Sequence, residues 1–371
     1  MIKERTLEIL EEMLLIHSPS KQENKMADYI IQFLENLSAE IYLDHCEDKY
    51  GGNTPVIFAK IPGKLEGPGF TLNGHLDVIQ PNQNLKIIKE DDIWRSNGTT
   101  TLGGDDKAGL AAILSAVEYI VQNNQPHRDL YFIFTPGEEQ GMLGAKNIQW
   151  DQVHQHFDLA KNIIVVDNAG KADKVAYQAP TCYRFAIEII GKKAHAGIEP
   201  EKGINAIWVA SQIINKLPLL RIDQTTTANI SQIDADFPNN VVPDRCQFTG
   251  EIRTHSDQTA KDILQKYENT IQEFINDYSF EYWCDYPVLQ SKDNLTFVNQ
   301  VIDAYNKVGV QAEAQIIGGG SDANFFAEQG FNAAIIGVGM QQVHTTEEYL
   351  EINELHHTTA ALIELLTQSY A

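Results

Sequence analysis

The sequence predicts an α/β protein with a mostly parallel central sheet and an inserted domain of the ferredoxin-like β-α-β-β-α-β type. The chain has 371 residues, which exceeds the size at which a single core usually stops growing, so two domains are expected. Near-continuous apolar runs alternate with helical patterns, and this alternation is typical of a parallel sheet covered by helices.

Four strand-like runs predict the central sheet. Each run is apolar and ends in polar residues and glycine, as a buried strand does where it leaves a sheet. A helical pattern over 108–123 follows the first run, as a crossover between parallel strands requires. The fourth run comes only near residue 332, so we expect the same sheet to resume there after an interruption. The runs are GFTLNGHLDV, DLYFIFTPGEE, KNIIVVDNAG and FNAAIIGVGMQQVHTTEEY.

The interruption itself predicts a second domain. Strand, helix, strand, strand, helix and strand patterns follow one another, which is the order of a split β-α-β unit. We therefore assign residues 181–289 to an inserted domain, and residues 1–180 and 290–371 to a discontinuous catalytic domain. The patterns are CYRFAIEII, GINAIWVASQIINKL, TTTANISQIDA, RCQFTGEIRT, AKDILQKYENTIQEFIND and FEYWCDY.

Charge and cysteine content exclude several classes of protein. The 51 acidic and 28 basic residues give a net charge of -23, which repels phosphate backbones and anionic lipid, so we expect no nucleic-acid or membrane partner. The four cysteines are far apart, so neither a structural zinc site nor a disulfide framework is predicted. The N-terminal MIKERTLEILEEMLLIHSPS lacks the continuous apolar core of a signal peptide. We therefore expect a cytoplasmic protein.

Acidic residues and histidines follow the predicted strands of the central sheet. In an open α/β sheet, ligands gather beyond the carboxyl ends of the strands. So many acids in one place would repel one another unless cations lay among them. Zinc, cobalt and manganese accept both imidazole and carboxylate ligands. The candidate residues are His75, Asp77, Asp105, Asp106, Glu138, Glu139, Asp167 and His344.

Each candidate also has an ordinary structural interpretation. A pair such as Glu138 and Glu139 usually marks a solvated surface, and Asp167 suits a turn or a helix cap equally well. An aspartate at the start of a helix accepts backbone N–H groups and suits the helix dipole. Spacing alone does not decide whether Asp105 or Asp106 is the ligand. The metal hypothesis is favoured because the same pattern recurs at every predicted strand end.

Eight motifs stand out along the chain: NGHLDVI (73–79), TTTLGGDDKAG (99–109), FIFTPGEEQGMLGAKN (132–147), VVDNAG (165–170), GKKAHAG (191–197), NNVVPD (239–244), GGGSDANFF (318–326) and HTTEEY (344–349). Together these motifs resemble the M20 family of dinuclear metallopeptidases, and within it the peptidase T-like branch. They occur in family order across nearly the whole chain. The resemblance implies a zinc-peptidase catalytic domain with an inserted lid and dimerisation domain, acting as an exopeptidase on short peptides of di- and tripeptide size.

The resemblance implies a role for each candidate ligand. Asp105 would bridge two divalent metal ions. His75 and Asp167 would complete one metal site, and Glu139 and His344 would complete the other. The donor types favour zinc, with cobalt or manganese as alternatives.

The resemblance also implies catalytic residues. Glu138 would be the general base that takes a proton from water and passes it to the departing amine. Asp77 would orient the ring of His75, a role that metal-bound histidines require. His195, in the inserted domain, would stabilise the developing oxyanion from the partner subunit of a homodimer. The alternative for His195 is a loop histidine without a role.

Substrate contacts are implied at four positions. Asn240 and Arg253 match positions that contact the substrate in relatives. Gly319 and Gly320 would offer backbone N–H groups to a substrate carboxylate. Arg253 has an alternative, an ion pair with Glu251 on its own strand.

Ile317 departs from the pattern of tripeptide-cleaving relatives, which carry an arginine at this position. A cation for the C-terminus of the peptide is therefore missing there, and the resemblance implies a peptidase T-like enzyme rather than a strict tripeptidase. Two other functions stay open: an amidohydrolase that acts on N-acyl amino acids, and a non-catalytic metal-binding scaffold. A nucleotide-binding protein is disfavoured because no glycine-rich phosphate loop of the usual spacing is present.

Overall fold

A computed structural model describes residues 2–290 and 295–368, which form two units. The first unit contains Met1–Gln178, Gln290–Ile317 and Ser321–Ala371, and the second contains Ala179–Leu289 with Gly318–Gly320. Positions 1, 291–294 and 369–371 of the predicted catalytic domain lie outside the described residues.

The central sheet of the first unit is parallel in its middle, as predicted. Among the described residues it has nine strands, and the four apolar runs of the sequence form its neighbouring parallel strands. Antiparallel strands continue the sheet on both sides. The strand order is Glu40–Asp44, Val56–Ile61, Leu130–Thr135, Phe70–His75, Asn162–Asn168, Asn332–Gly337, Lys174–Ala179 and Leu289–Gln290, with Glu313–Ile316 also paired to Lys174–Ala179.

The helix Gly104–Gln122 fixes the sheet to the rest of the first unit. Every residue from Gly104 to Val117 is buried, because the helix packs between the central strands and the helices Ile2–Leu14 and Ile352–Thr367. A helix that is apolar on all sides is stable only in such an enclosed position. The helices of this unit are Ile2–Leu14, Asn24–Asn36, Gly104–Gln122, Leu143–Asn147, Trp150–His156, Thr296–Lys307, Ala323–Glu328 and Ile352–Thr367.

A smaller sheet of the first unit carries the C-terminal motif. Its strand order is Met340–Gln341, Tyr349–Glu351, Ile93–Ser96 and Ile87–Glu90, all antiparallel. His344 lies in the connection between the first two of these strands. No helix among the described residues combines the length and the apolar character that crossing a bilayer requires.

The second unit has the predicted ferredoxin-like order. Its antiparallel sheet has Thr181–Ile190 in a central position, and both helices pack on the sheet face lined by Phe185, Ile187 and Phe248. The short strands Ala194–His195 and Val241–Val242, which are far apart in the sequence, pair in an antiparallel way as a separate two-stranded sheet. The strand order is Leu220–Arg221, Thr227–Asp234, Arg245–Thr254, Thr181–Ile190 and Tyr278–Tyr286, and the helices are Ala206–Lys216 and Asp257–Gln272.

His356, in the helix Ile352–Thr367, links stability to pH. Its Nδ1 atom is buried without a hydrogen-bond partner among the described residues. Burial and the nearby charge of Lys3 lower the pKa of His356 to about 4, although Asp92 opposes this shift. An unfolded histidine has a pKa of about 6.5. The unfolded chain therefore gains a proton before the folded chain does, and the stabilising contribution is lost as the pH falls from about 6.5 to about 4.

We expect His356→Gln to make the free energy of unfolding fall less steeply between about pH 6.5 and pH 4.5, because this proton uptake is removed. Urea unfolding at both pH values measures the difference. His154→Gln, an exposed histidine on another helix, controls for the loss of an imidazole as such. A slope equal to that of the wild type in His356→Gln would contradict the assignment.

Candidate metal centre

The carboxyl ends of the central strands bring distant residues to one edge of the sheet. His75 is the last residue of Phe70–His75, and Asp167 lies at the end of Asn162–Asn168. Glu138 and Glu139 begin a short turn of helix three residues after Leu130–Thr135. Because these strands are parallel neighbours, the residues that follow them lie at the same edge.

Three of the candidates form a first group. The Nε2 atom of His75 lies 3.0 Å from Oδ1 of Asp105 and 3.6 Å from Oδ1 of Asp167. One ligand atom from each residue lies within 4.8 Å of the others, a spacing that a single metal ion can bridge.

A second group shares Asp105 with the first. The Nε2 atom of His344 lies 3.0 Å from Oε2 of Glu139 and 3.3 Å from Oδ2 of Asp105. The ligand atoms of these three residues also lie within 4.8 Å of one another. Asp105 thus faces one histidine with each of its carboxylate oxygens. Five candidate residues from separate parts of the chain are brought together in this way.

Asp77 is fully buried behind the first group. Its carboxylate accepts hydrogen bonds from the backbone N–H of Glu138 at 2.9 Å and of Glu139 at 3.2 Å. The hydroxyl of Ser20 donates to it at 2.6 Å. Nδ1 of His75 lies 3.0 Å from the backbone carbonyl oxygen of Asp77 and 3.3 Å from its Oδ1. Asp77 therefore fixes both the imidazole ring, with Nε2 toward the group, and the turn that carries the two glutamates.

Asp106 belongs to neither group, although spacing in the sequence leaves it equal to Asp105. Its Oδ2 atom accepts a hydrogen bond from the backbone N–H of His75 at 3.2 Å. A Cβ atom on Gly74 would lie 2.7 Å from this Oδ2, and one on Gly109 would lie 2.1 Å from Oδ1. Two glycines of the quoted motifs therefore make room for this carboxylate beneath the histidine. The peptide bond between Asp105 and Asp106 is cis.

Two further buried carboxylates receive no role from the sequence. Glu348 accepts hydrogen bonds from the backbone N–H of Gly103 at 2.8 Å and of Asp105 at 3.0 Å. Asp322 accepts a hydrogen bond from the hydroxyl of Thr135, and its Oδ1 atom is buried without a partner among the described residues. Both lie inside motifs of the family, GGGSDANFF and HTTEEY, but the sequence pattern does not distinguish them from the polar residues beside them.

The electrostatics of the two groups reflect a concentration of negative charge. Burial alone would lower the pKa of His75, but hydrogen bonds with carboxylates, Asp105 first, outweigh it and raise the pKa well above its ordinary value. Hydrogen bonds with Asp105 and Glu139 raise the pKa of His344 to about 10. Burial would raise the pKa of Asp105, but the two histidines hold it well below its usual range.

The remaining acids retain protons more readily than usual. Burial and the charge of Asp105 raise the pKa of Glu139 to about 7. Burial raises the pKa of Asp167 to about 6 against the opposing effect of His75. Burial and the charge of Asp167 raise the pKa of Glu138 well above its ordinary value. Protons held in this way are the ones that bound metal ions displace from their ligands.

The other candidates lie in the second unit. His195 is exposed, and its Nδ1 atom accepts a hydrogen bond from the N–H of Gly197 at 3.2 Å. Asn240 lies close to it beside the paired strand Val241–Val242, since its carbonyl accepts a hydrogen bond from the N–H of Ala196 at 2.9 Å. Gly319 and Gly320 group with the same unit, and a Cβ atom on Gly319 would meet open space.

Arg253 forms an ion pair with Glu251, which is the alternative to substrate binding that the sequence leaves open. Its Nε atom donates to Oε1 of Glu251 at 2.7 Å, and a terminal nitrogen donates to Oε2 at 3.3 Å. The guanidinium is therefore held in a fixed orientation by a neighbour on the same strand.

Residues 71–368 match peptidase family M20/M25/M40, a span that covers most of the chain. The chain belongs to this family. Members are peptidases, so the chain is a metal-dependent hydrolase of peptide bonds. Family membership and the two acid–histidine groups support a site for two divalent metal ions.

Similar proteins place this M20 peptidase in the peptidase T-like branch. The uncharacterized protein YqjE of Bacillus subtilis strain 168 is 32% identical over 371 residues, covering 99% of each chain. The crystal structure of aminopeptidase PepT from Bacillus cereus is 30% identical with a TM-score of 0.92, covering 98% of each chain. A tripeptidase from Staphylococcus aureus is 29% identical with a TM-score of 0.92 and the same coverage. The predicted family and fold class are confirmed, whereas the bounds 181–289 and the lid and dimerisation role of the inserted domain stay predictions.

Gly109→Ala tests the packing of Asp106 beneath His75. A Cβ atom at this position would lie 2.1 Å from both Oδ1 of Asp106 and the carbonyl oxygen of Val166. We expect the free energy of unfolding to fall by about 2 kcal/mol or more, despite the better helix propensity of alanine. Urea unfolding measures this change. Gly318→Ala, where a Cβ atom meets open space, is the control, and equal stability of both variants would contradict the packing argument.

Proposed function

We propose that the chain is an exopeptidase that hydrolyses short peptides, of di- and tripeptide size, at a centre of two divalent metal ions. The observation that carries this proposal is the sharing of Asp105 between two groups of histidine and carboxylate. Similarity at a TM-score of 0.92 to an aminopeptidase and to a tripeptidase supports a short peptide as the substrate.

The residues of both groups fit metal ions. Each group offers one imidazole nitrogen and two carboxylates, a donor set that suits zinc, with cobalt and manganese as alternatives. Glu139 Oε1 is buried without a hydrogen-bond partner among the described residues, which is costly unless a cation or another donor satisfies it. We assign one metal to His75, Asp105 and Asp167, and the other to Asp105, Glu139 and His344.

In the proposed metal centre, four negative charges are balanced by four positive charges. The three carboxylate ligands and Glu138 supply the negative charges, and two divalent ions supply the positive ones. A nearly neutral centre favours binding of both ions together, since either ion alone would leave acids unpaired in a buried place.

Glu138 is the proposed general base. Bound divalent ions supply Lewis acidity, which polarises a peptide carbonyl and makes water easier to deprotonate. Glu138 accepts the proton of the attacking water and then donates it to the departing amine. The hydrogen bond from its backbone N–H to Asp77 fixes the turn from which this carboxylate acts. Asp77 also holds His75 in the orientation that exposes Nε2.

We assign supporting roles to the second unit. His195 is proposed to stabilise the oxyanion from the partner subunit, in a homodimer formed through the inserted domain. Asn240 and Arg253 are proposed to contact the substrate, and the glycine loop at Gly319 and Gly320 to bind its carboxylate. The cysteine usage supports a cytoplasmic location. Sedimentation of the purified chain tests the dimer.

The substrate profile separates this proposal from the alternatives. We expect metal-loaded protein to hydrolyse di- and tripeptides and to leave N-acetyl amino acids intact, and we expect chelation to abolish turnover until zinc is restored. Product analysis by mass spectrometry measures both. Faster cleavage of N-acetyl amino acids would favour an amidohydrolase. Two bound metals without turnover of either class would favour a non-catalytic scaffold.

Glu138→Gln tests the general base. We expect kcat to fall about 10²–10⁴-fold, because the amide cannot accept the proton of water, while both metals stay bound. Steady-state kinetics and elemental analysis of the same preparation measure the two quantities. Glu35→Gln makes the same chemical change on an exposed helix position and is the control. Unchanged turnover in Glu138→Gln would reject this residue as the base.

A further inference from the structure

His344 lies on a segment with a constrained backbone. Its φ of +66° lies in the left-handed region, and Gln342 nearby has a φ of +50°. Residues other than glycine rarely adopt this conformation, and it persists where surrounding contacts hold it in place. The side chain of His344 is 53% exposed, so packing of the ring itself contributes little. Apart from the contacts of its ring nitrogen with Glu139 and Asp105, the contacts of neighbouring residues must hold the segment.

Hydrogen bonds within the segment close a turn but do not attach it to the protein. The hydroxyl of Thr345 donates to the carbonyl of Gln342 at 2.8 Å. The N–H of Glu347 donates to the hydroxyl of Thr345 at 3.2 Å. The N–H of Glu348 donates to the backbone carbonyl of Thr345 at 3.3 Å. Ser96 reaches the segment through a longer hydrogen bond to the carbonyl of Thr346, at 3.4 Å.

Glu348 makes the short contacts between this segment and the turn that carries Asp105. It is 2% exposed, and its two oxygens accept from the N–H groups of Gly103 and Asp105 at 2.8 and 3.0 Å. Two backbone donors on one carboxyl group fix both of its oxygens relative to the turn, so Glu348 holds this turn by two separate hydrogen bonds. A Cβ atom on Gly104 would lie 3.1 Å from Oε1, so glycine permits this close approach.

We propose that Glu348 is a positioning residue that holds His344 and Asp105 at the separation required by the metal they share with Glu139. This inference rests on the proposed two-metal site. Glu348 belongs to neither ligand group and acts through backbone groups, four residues after the histidine. The metal at His75 and Asp167 depends on it less, because both of those ligands are fixed by central strands of the sheet.

Zinc titration of metal-free protein by calorimetry tests this role without reference to turnover. We expect the wild type to bind two zinc ions, and Glu348→Gln and Glu348→Ala to keep one site while the other weakens about 10–100-fold. Glutamine keeps the shape and one acceptor oxygen, but it places an N–H₂ group against a backbone donor, so its effect should be the smaller. Glu347→Gln, the exposed neighbour, removes the same charge and should match the wild type.

The outcomes separate this inference from the proposed function. Two unchanged zinc affinities in both Glu348 variants would overturn the positioning role and leave the two-metal site intact. Equal weakening at both sites would also overturn it. Fewer than two zinc ions on the wild type would instead overturn the proposed metal centre. If the alanine variant does not fold, the isosteric glutamine variant alone decides.

Discussion

One carboxylate lies between two histidines, and the rest of the centre is arranged around it. Each oxygen of Asp105 is within 3.3 Å of a different imidazole nitrogen, and each imidazole has a second acid beside it. Like charges packed this closely in a buried place are unfavourable without counterions. The fold must therefore supply enough rigidity to keep these groups together, and a pair of divalent ions offers the compensating charge.

That rigidity comes from backbone positions rather than from the acids themselves. The turn before Asp105 uses the left-handed conformation of Gly103, with a φ of +73°, and the helix that follows is enclosed on all sides. Gly109 and Gly74 have no Cβ atom, and this absence leaves the space in which Asp106 lies beneath His75. Small residues and a buried helix thus define a place that tolerates charged side chains, at a cost in local stability that the surrounding core offsets.

The sequence predicts which residues lie close together where the physics is local or follows from topology. Buried parallel strands appear as apolar runs, so the sequence alone locates the strand ends at or after which His75, Glu139 and Asp167 lie. Buried carboxylates that accept hydrogen bonds from backbone N–H groups cannot be identified from the sequence. Glu348 and its exposed neighbour Glu347 are equivalent in the sequence, and only the distances to Gly103 and Asp105 distinguish them. The pairing of Arg253 with Glu251 is similar, since a period of two places both on one strand face without deciding whether they bond.

The position of the strand Asn332–Gly337 has a consequence for biosynthesis. It lies between the strands Asn162–Asn168 and Lys174–Ala179, which are close in sequence but are not paired with each other. The space between these two strands is filled only by Asn332–Gly337, which is synthesised much later. A nascent chain that has emerged as far as residue 289 can complete the antiparallel sheet of the second unit, whereas the main sheet still has an open slot in its middle. Exposed strand edges of this kind can pair wrongly, so we expect the ribosome-bound intermediate to be prone to aggregation until residues 332–337 have emerged.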